Sequence, residues 1–399
     1  MSTAADETVP ATAAALPRAV YVHVPFCRHR CGYCDFSLVA GRDDLVADYL
    51  AAIDRELARL DVAAPAFGGK SHPTPLDLDT LYLGGGTPSH LGPTGLARLF
   101  EILHARLRPL PGAEVTIEAN PGDVTAALAA AAVACGVTRV SLGAQSLEAT
   151  TLAALDRDHA PDDVRRAVGI LLAHGLTVSV DLMTAAPGQT LADVDRDLDA
   201  VVALGTQHVS VYCLTWEKGT QFDARRRRGL LEPTDESLER AMLERTIDRL
   251  TAAGFEHYEV SNFARPGGRC RHNETYWDCR PWEAFGPGAA RFDGRERITN
   301  HRSTTTWMRR VLTGEDGTGD REVMTPLDAA RERVVLGLRR RDGLDRASFL
   351  AASGFALDAV AGGPIRRWTD RGLATDDGEH VRLTREGLLV SDALWAEVL

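Results

Sequence analysis

Six short apolar runs recur along residues 19–214, and segments with helical periodicity separate them. The runs are rich in Val and Leu and nearly continuous, as expected for strands that are covered on both faces. They are Ala19–Val24, Thr80–Leu83, Glu114–Glu118, Arg139–Gly143, Thr177–Asp181 and His208–Leu214. Strands that alternate with helices predict a parallel sheet with right-handed crossovers. We therefore predict an α/β fold, a partial (β/α)6 barrel of the TIM type, with a doubly wound open sheet as the competing topology.

The intervening segments have the apolar spacing of helices that pack on a sheet. Asp44 and Thr190 are the expected N-caps of two of these helices. The first helix repeats apolar side chains at four-residue spacing, so they share one face. These side chains are Leu45, Tyr49, Ile53 and Leu57.

Local composition divides the chain into four parts. We expect the Ala-rich start to be a disordered tail and the polar, Gly-rich stretch TGEDGTGDREVM to be a linker. The end of the chain predicts helices followed by a short hairpin at Gly372–Leu383, in a small α+β, winged-helix-like domain. The boundaries are 1–17 for the tail, 18–312 for the barrel with an extension at about 255–300, 313–324 for the linker and 325–399 for the C-terminal domain.

Charge and composition exclude several classes of protein. Lys and Arg number 45 against 56 Asp and Glu, so the net charge is −11, which argues against a nucleic-acid partner. No apolar stretch is long enough for a transmembrane helix, and the N-terminus lacks the basic region of a signal peptide. Seven cysteines, an odd number, argue against a disulfide framework and predict a reducing, cytoplasmic location.

Three of the seven cysteines, Cys27, Cys31 and Cys34, follow the first predicted strand with the spacing C-x3-C-x2-C. Thiolates are the ligands of iron–sulfur clusters, and three thiolates on a 4Fe–4S cubane leave one iron open for chemistry. The alternative is a structural zinc site, which takes four ligands and would be completed by His23 or His29.

Polar or glycine residues follow the later strands at the same edge of the predicted sheet. In parallel α/β folds this carboxyl edge is where ligands bind. Each of these residues alone has an ordinary interpretation as a tight turn, a helix cap or a surface ion pair. Together they predict a polar cofactor pocket. They are Gly85, Gly86, Thr87, Glu118, Gln145, Arg157 and Asp181.

The cysteine spacing in the loop after strand one resembles the radical S-adenosylmethionine (SAM) superfamily. The resemblance implies that the open iron binds the amino and carboxylate groups of SAM, and that one electron then cleaves a C–S bond to give a 5′-deoxyadenosyl radical. It also implies a SAM site in which Tyr21 lies near the sulfur. The remaining implied SAM residues are Gly85, Gly86, Thr87, Glu118, Gln145, Arg157 and Asp181.

Longer motifs resemble one branch of this superfamily, the oxygen-independent coproporphyrinogen III oxidases and the HemW-type haem chaperones. They include YVHVPFC, GGGTPS, IEANPG, SLGAQS and YEVSNFA, and the resemblance covers about residues 18–395. The oxidases carry a fourth cysteine where this chain has Phe36, and HNxxYW, here His272–Trp277, is typical of the chaperones. The resemblance therefore implies a haem chaperone that delivers haem to acceptor apoproteins and needs a reductant for its cluster.

Within the HNxxYW segment, His272 offers an axial nitrogen for haem iron, and Tyr276 and Trp277 offer flat apolar surface. The chain departs from the family nearby, with Ala290 and Arg291 where the family has His and Ser. Two alternatives remain open: radical oxidative decarboxylation of coproporphyrinogen III, and a carrier that keeps its cluster only as a structural or dimerising device.

For the remaining cysteines and the two basic runs, we expect structural or surface roles. Cys135 and Cys213 are expected to be buried, and Cys270 and Cys279 to be incidental thiols. Arg225–Arg228 and Arg339–Arg341 are expected to be solvated, with docking of haem propionates, an acceptor protein or anionic lipid as the alternative. The lipid alternative implies peripheral membrane contact.

Overall fold

The computed structural model describes residues 16–61 and 75–399, so residues 1–15 of the expected tail lie outside the described residues. The strands are β1 (Ala19–Val24), β2 (Phe26–Cys27), β3 (Val39–Ala40), β4 (Leu76–Gly85), β5 (Leu107–Ala119), β6 (Arg139–Gln145), β7 (Thr177–Thr184), β8 (His208–Cys213), β9 (Glu256–His257), β10 (Asn262–Ala264), β11 (Glu283–Phe285), β12 (Ala290–Phe292), β13 (Glu296–Asn300), β14 (Thr318–Val323), β15 (Leu344–Asp345), β16 (Ala374–Asp376) and β17 (His380–Leu383).

Helices connect these strands and cover the sheets. They are α1 (Val46–Leu57), α2 (Gly92–His104), α3 (Ala126–Ala134), α4 (Ala149–Ala154), α5 (Pro161–Ala173), α6 (Leu191–Ala203), α7 (Gln221–Arg227), α8 (Glu236–Ala252), α9 (Arg271–Trp277), α10 (Thr304–Thr313), α11 (Pro326–Leu338), α12 (Arg346–Ser353), α13 (Leu357–Asp370), α14 (Arg385–Leu389) and α15 (Ser391–Trp395). None of the helices in the described part of the chain has the length and apolar character to span a membrane.

The large sheet has the strand order β11-β1-β4-β5-β6-β7-β8-β10-β9. The pairs from β11 to β8 are all parallel, and β10 and β9 are added antiparallel. The six predicted runs become β1 and β4–β8, and the edge strands β11 and β9 do not pair with each other within the described residues. The prediction of a partial (β/α)6 barrel is therefore confirmed.

Some local predictions were wrong in detail. β4 and β5 begin well before the predicted runs, because buried and half-buried residues alternate at the start of β4 and the apolar run is interrupted there. Asp44 does not cap α1: residues 43–45 form a 3-10 turn, and the Asp44 carboxylate pairs with Arg42. The cap at Thr190 is confirmed, since its hydroxyl accepts a hydrogen bond from the backbone nitrogen of Asp193 at 3.3 Å.

Half of the predicted linker 313–324 is a strand, β14. β14 pairs antiparallel with β13 in a separate sheet of order β12-β13-β14. The strand was missed because nearly all its side chains are exposed and polar, so no apolar alternation marks it. Backbone pairing and ion pairs hold it, such as that between Arg321 and Glu296 at 2.8 Å.

The C-terminal residues form the predicted small α+β domain. Helices α11–α13 precede the hairpin of β16 and β17, whose sheet has the order β15-β17-β16. This domain has its own apolar core, which includes Val334, Leu338, Trp368, Val381 and Trp395. It packs on the barrel through α11 and α9.

A buried carboxylate on α1, Glu56, fixes the loop after β11 beside the first strand. The Glu56 carboxylate accepts hydrogen bonds from the backbone nitrogen of Gly286 at 2.8 Å and from the Asn300 amide at 2.6 Å. Arg59 pairs with Glu56 at 3.3 Å. Because the side chain is almost fully buried, its removal leaves these donors without partners.

We predict that Glu56→Ala lowers the free energy of unfolding by about 3 kcal/mol, the cost of unpaired buried donors. Urea unfolding followed by tryptophan fluorescence measures this change. Glu101→Ala, which removes an exposed carboxylate paired with Arg98, is the matched control and should leave stability nearly unchanged. Equal effects of the two substitutions would contradict this role of Glu56.

Candidate functional site

The loop that carries Cys27, Cys31 and Cys34 starts directly after β1 and is closed by a short strand pair. β2 and β3 pair in parallel, with Cys27 opposite Ala40. Inside the loop, the backbone nitrogen of Cys34 donates to the Cys31 carbonyl at 3.1 Å. All three cysteines line one cavity at the carboxyl edge of the sheet, so the structure brings the predicted ligands to a common site.

Gly86 lets the cysteine loop lie directly on the loop after β4. The backbone nitrogen of Gly86 donates to the Val24 carbonyl at 2.9 Å, and that of Thr87 donates to the Phe26 carbonyl at 2.7 Å. A Cβ at Gly86 would lie 2.7–2.9 Å from backbone atoms of Val24 and Phe26, closer than side-chain carbons approach backbone. Glycine is therefore required where the two loops meet.

The three thiols are sheltered to different degrees, since Cys31 is buried and Cys27 and Cys34 are partly buried. Burial raises the pKa of Cys27 to about 12, and burial also raises the pKa of Cys34. The Cys27 sulfur lies 3.2 Å from the Thr87 hydroxyl, and an Arg157 nitrogen lies 3.4 Å from the Cys31 sulfur. Without a metal the Cys27 and Cys34 thiols keep their protons, and a metal that binds as thiolate displaces them.

The two histidines of the zinc alternative are already engaged within the protein. One His23 nitrogen lies 2.6 Å from the Ser37 carbonyl and the other lies 3.1 Å from the Tyr21 hydroxyl. Nε2 of His29 lies 2.7 Å from the Asp156 carbonyl oxygen. Among residues 16–61 and 75–399, no three His, Cys, Asp or Glu side chains converge as a single metal ion requires. Either histidine would have to give up a hydrogen bond to complete a four-ligand zinc site.

The cavity has a volume of about 550 Å³, and all but one of the residues predicted for SAM line it. The exception is Tyr21, whose hydroxyl bonds to His23 and whose ring stacks on Tyr82 at a centroid distance of 6.1 Å. Tyr82 reaches the cavity instead, and it lies directly opposite Tyr21 in the β1–β4 register. The lining residues from the prediction are Gly85, Gly86, Thr87, Glu118, Gln145, Arg157 and Asp181.

Two carboxylates line the cavity, and each accepts hydrogen bonds from neighbouring residues. Glu118 accepts hydrogen bonds from the Tyr82 hydroxyl and the backbone nitrogen of Gly85, each at 2.9 Å. Burial raises the pKa of Glu118 to about 7. Asp181 accepts from the Ser141 hydroxyl at 3.0 Å, and burial raises the pKa of Asp181 as well. Acidic groups held this way suit the ammonium and hydroxyl groups of a polar ligand.

Arg157 and Gln145 complete this layer of the cavity. Arg157 donates to the Gly143 carbonyl at 2.9 Å, while its buried Nε has no partner among the described residues. Gln145 has a φ of 65°, the left-handed region that non-glycine residues rarely adopt. Unsatisfied donors and strained backbone concentrate at ligand sites, so both features mark this layer as a binding surface.

Sequence reasoning missed the deeper lining of the cavity. These residues lie earlier on β6, β7 and β8 and on the segment that opens α9. Polar residues at every second position of otherwise apolar strands were the available signal, because they point to one face. The added deeper residues are Arg139, Ser141, Ser179, His208, Ser210, Cys270 and Asn273, and Tyr212 near the carboxyl end of β8 was missed as well.

The predicted haem residues do not line this cavity. His272 is only 1% exposed, and burial lowers its pKa to about 3. One ring nitrogen lies 2.9 Å from the Thr80 hydroxyl and the other lies 2.8 Å from the Tyr276 hydroxyl. The ring also stacks on Tyr82 at 5.1 Å. Coordination of haem iron by His272 therefore requires one of these hydrogen bonds to break.

Helix α9, which contains the HNxxYW residues, joins the barrel to the C-terminal domain. Trp277 lies under the Arg339 guanidinium, 5.1 Å from the ring centroid. Arg340 pairs with Asp278, and Arg333 donates to the carbonyl of Asp278 at 2.8 Å. The run Arg339–Arg341 therefore makes a domain contact, and its expected role as a solvated face was wrong.

The other basic run and the remaining cysteines are simpler. In the run Arg225–Arg228, Arg226 and Arg227 both pair with Asp223. Cys213 is exposed at the end of β8 and Cys135 is half-buried, so the expectation that both are buried was wrong. Cys213 is the last residue of β8 and Cys135 directly follows α3, so neighbouring elements cover neither side chain completely.

Comparison with known proteins gives two family matches and a similar fold. Residues 21–201 match the model of the radical SAM superfamily, and residues 324–390 match the HemN C-terminal domain. Coproporphyrinogen III oxidase (HemN) from Escherichia coli has a similar structure, with a TM-score of 0.82 and 21% identity over 96% of this chain and 90% of that one. At 21% sequence identity, this structural similarity establishes the fold alone.

Curated relatives match over nearly their whole length. Heme chaperone HemW from Mycobacterium tuberculosis H37Rv is 39% identical over 385 residues, 95% of this chain and 94% of the relative. Heme chaperone HemW from Bacillus subtilis is 30% identical over 384 residues, 96% of this chain and 99% of the relative. The chain therefore belongs to the HemW family of the radical SAM superfamily.

Proposed function

We propose that this protein is a haem chaperone that holds a 4Fe–4S cluster and SAM and delivers haem to acceptor apoproteins. The observation that carries the proposal is the 39% identity to a curated haem chaperone along almost the entire length of both chains. The two domains, the cysteine loop and the HNxxYW helix all lie inside that matched length.

The chemistry of the cysteine loop suits a cluster. Cys27, Cys31 and Cys34 supply three sulfurs at one cavity, and Phe36 stands where a fourth cysteine would follow. An aromatic side chain does not ligate iron, so three thiolates would hold the cluster and leave one iron open. When bound, the reduced cluster supplies one electron for cleavage of a C–S bond of SAM.

The layer around the cysteine loop suits SAM. Glu118 and Asp181 would accept hydrogen bonds from its amino and ribose hydroxyl groups, and the Arg157 guanidinium would donate to an oxygen atom. Gly85, Gly86 and Thr87 line the same cavity, and the two glycines, which lack a Cβ, would let the backbone approach the ligand closely. These residues line one cavity together with the cysteines, so the proposed cluster and SAM sites would be continuous.

Phe36 separates the chaperone from the oxidase alternative. Its side chain is 57% exposed at the cavity mouth, so it offers apolar surface to a flat ligand without any iron-binding atom. All seven cysteines are free thiols, which suits the reducing cytoplasm where we place this protein. A one-electron reductant and a haem-accepting apoprotein are its proposed partners.

The function is tested with full-length, cluster-reconstituted protein that has been loaded with haem. We expect haem to move to the haem-free form of a b-type cytochrome faster than from the same concentration of free haem, as followed by the acceptor's Soret band. We also expect no protoporphyrinogen from coproporphyrinogen III under anaerobic, reducing conditions. Turnover of coproporphyrinogen III without haem transfer would show that the protein is an oxidase and not a chaperone.

A pH dependence of SAM binding follows from Glu118. Its pKa of about 7 means that the carboxylate loses its charge below neutral pH, and with it the attraction for the N–H donors of the SAM amino group. We predict that SAM affinity falls about tenfold per pH unit below about 7, measured by titration calorimetry. Glu118→Gln should bind weakly with a flat profile, and an unchanged slope in that variant would contradict the assignment.

The hydrogen bonds of His272 generate a prediction about haem. Because both ring nitrogens are bonded inside the protein, we expect His272→Ala to lower the free energy of unfolding by about 1–3 kcal/mol and to leave haem affinity nearly unchanged. Thermal unfolding and Soret titration measure the two effects. Tyr276→Phe, which removes one of the same bonds, is the comparison. A folded His272→Ala protein without a Soret band would identify His272 as the iron ligand.

A further inference from the structure

Four polar side chains of β7 and β8 lie next to one another in the cavity wall. The parallel register sets Ser179 opposite His208 and Asp181 opposite Ser210. Because alternate residues of a strand point to the same face, these four side chains share one face, and all four line the cavity. The register therefore brings His208 to Ser179, two residues before the carboxylate that we assign to SAM.

A chain of hydrogen bonds runs from Tyr258 to Asp181. The Ser179 oxygen lies 3.5 Å from Oδ1 of Asp181 and 2.7 Å from Nδ1 of His208. Nε2 of His208 lies 2.9 Å from the Tyr258 hydroxyl, and the Tyr258 oxygen accepts from the backbone nitrogen of Cys270 at 3.3 Å. The link from Ser179 to Asp181 is the longest in this chain, so it depends most on where the Ser179 hydroxyl points.

His208, in the middle of the chain, is neutral and carries one ring proton. Burial and the nearby Arg139 guanidinium hold the pKa of His208 well below its ordinary value. A neutral imidazole has one donor nitrogen and one acceptor nitrogen. The position of the ring proton therefore decides whether the Ser179 hydroxyl donates to Asp181 or to His208.

One arrangement of protons gives every donor of the chain an acceptor. A carboxylate accepts, so Ser179 donates to Asp181, Nδ1–H of His208 donates to Ser179, and the Tyr258 hydroxyl donates to Nε2. In the reverse arrangement, Nε2–H donates to Tyr258, whose own proton then has no acceptor among the residues that the structure describes. A buried donor without an acceptor is costly, so the first arrangement is favoured.

Contacts with the C-terminal domain hold Tyr258 in place. The Tyr258 carbonyl accepts a hydrogen bond from the backbone nitrogen of Arg341 at 3.0 Å. The Arg269 guanidinium lies 5.3 Å from the centroid of the Tyr258 ring and pairs with Asp342 at 2.8 Å. The hydroxyl that sets the His208 tautomer is thus fixed from both domains.

Asp181 accepts from three serine hydroxyls when Ser179 points toward it. The other two donors are Ser141, at 3.0 Å, and Ser210. A carboxylate offers about four acceptor positions, so about one remains for a hydroxyl of a ligand. Three donors also favour the charged form of Asp181, which accepts more strongly than the protonated form.

We propose that His208 and Tyr258 are positioning residues for Asp181, and that the Nδ1–H tautomer of His208 turns the Ser179 hydroxyl toward that carboxylate. This inference rests on the proposed function, in which Asp181 accepts from a ribose hydroxyl of SAM. Tyr258 does not line the cavity, so its effect on SAM has to pass through His208.

NMR of the full-length protein with isotope-labelled histidine measures the direction of the chain. We expect a protonated Nδ1 and an unprotonated Nε2 for His208, whose signals are identified by their loss in His208→Asn. Tyr258→Phe removes the donor to Nε2 and should populate the other tautomer. An Nε2–H tautomer of His208 in the parent protein would overturn the proposal.

SAM affinity tests the consequence, by titration calorimetry on cluster-reconstituted protein under anaerobic conditions. Tyr258→Phe should bind SAM about three- to tenfold more weakly, the range expected when one hydrogen bond is weakened. Thr246→Val is the matched control, because it removes another buried hydroxyl, which donates to the Met242 carbonyl on α8. An equal SAM affinity of Tyr258→Phe and Thr246→Val would also overturn the proposal.

A double variant separates positioning from general destabilisation. The side-chain amide of Asn donates to Ser179 without help from Tyr258, whereas Leu cannot donate. His208→Asn should therefore keep more SAM affinity than His208→Leu, and Tyr258→Phe added to His208→Asn should cause no further loss. Additive losses in that double variant would contradict the coupling. If the His208 variants do not fold, Tyr258→Phe decides the question alone.

Failure of this inference is distinct from failure of the proposed function. A parent protein that binds no SAM would contradict the SAM site itself. The tautomer of His208 is measured without SAM, so it still decides the direction of the hydrogen-bond chain in that case.

Discussion

The parallel pairing of β1 with β4 is the contact on which the site depends. Its register sets Val24 opposite Gly85, so the cysteine loop and the glycine loop leave the sheet side by side. Gly86 then lets the two backbones touch, and the Thr87 hydroxyl reaches the Cys27 sulfur. A one-residue slip would turn alternate side chains to the other face and move Tyr82 out of the cavity.

Several charged side chains are buried in the interior of the barrel. Glu118, Asp181, Arg139 and Arg157 all lie in the wall of one cavity, each with at least one partner from a neighbouring strand or loop. Burial of charges costs stability unless they are paired, so these hydrogen bonds offset the cost of placing four charged side chains inside the barrel.

The HNxxYW residues illustrate how a motif and its structural setting differ. Their chemistry favours a haem contact, yet His272 is bonded on both nitrogens and Trp277 packs under Arg339 of the C-terminal domain. Helix α9 thus couples the barrel to that domain, and Asn273 of the same helix lines the cavity. One short helix connects the cavity floor with the domain interface.

The sequence alone determined the parallel sheet, the position of the cysteine loop and most of the cavity edge, because apolar runs and the residues after them are local signals. The sequence did not reveal strand β14, because that strand has no apolar face. It also did not reveal that Tyr82, and not Tyr21, lines the cavity, because this depends on how β1 and β4 pair. The tertiary structure alone decided that His272 is enclosed and that Arg139 has an unused donor, because hydrogen-bond partners come from residues far apart in the chain.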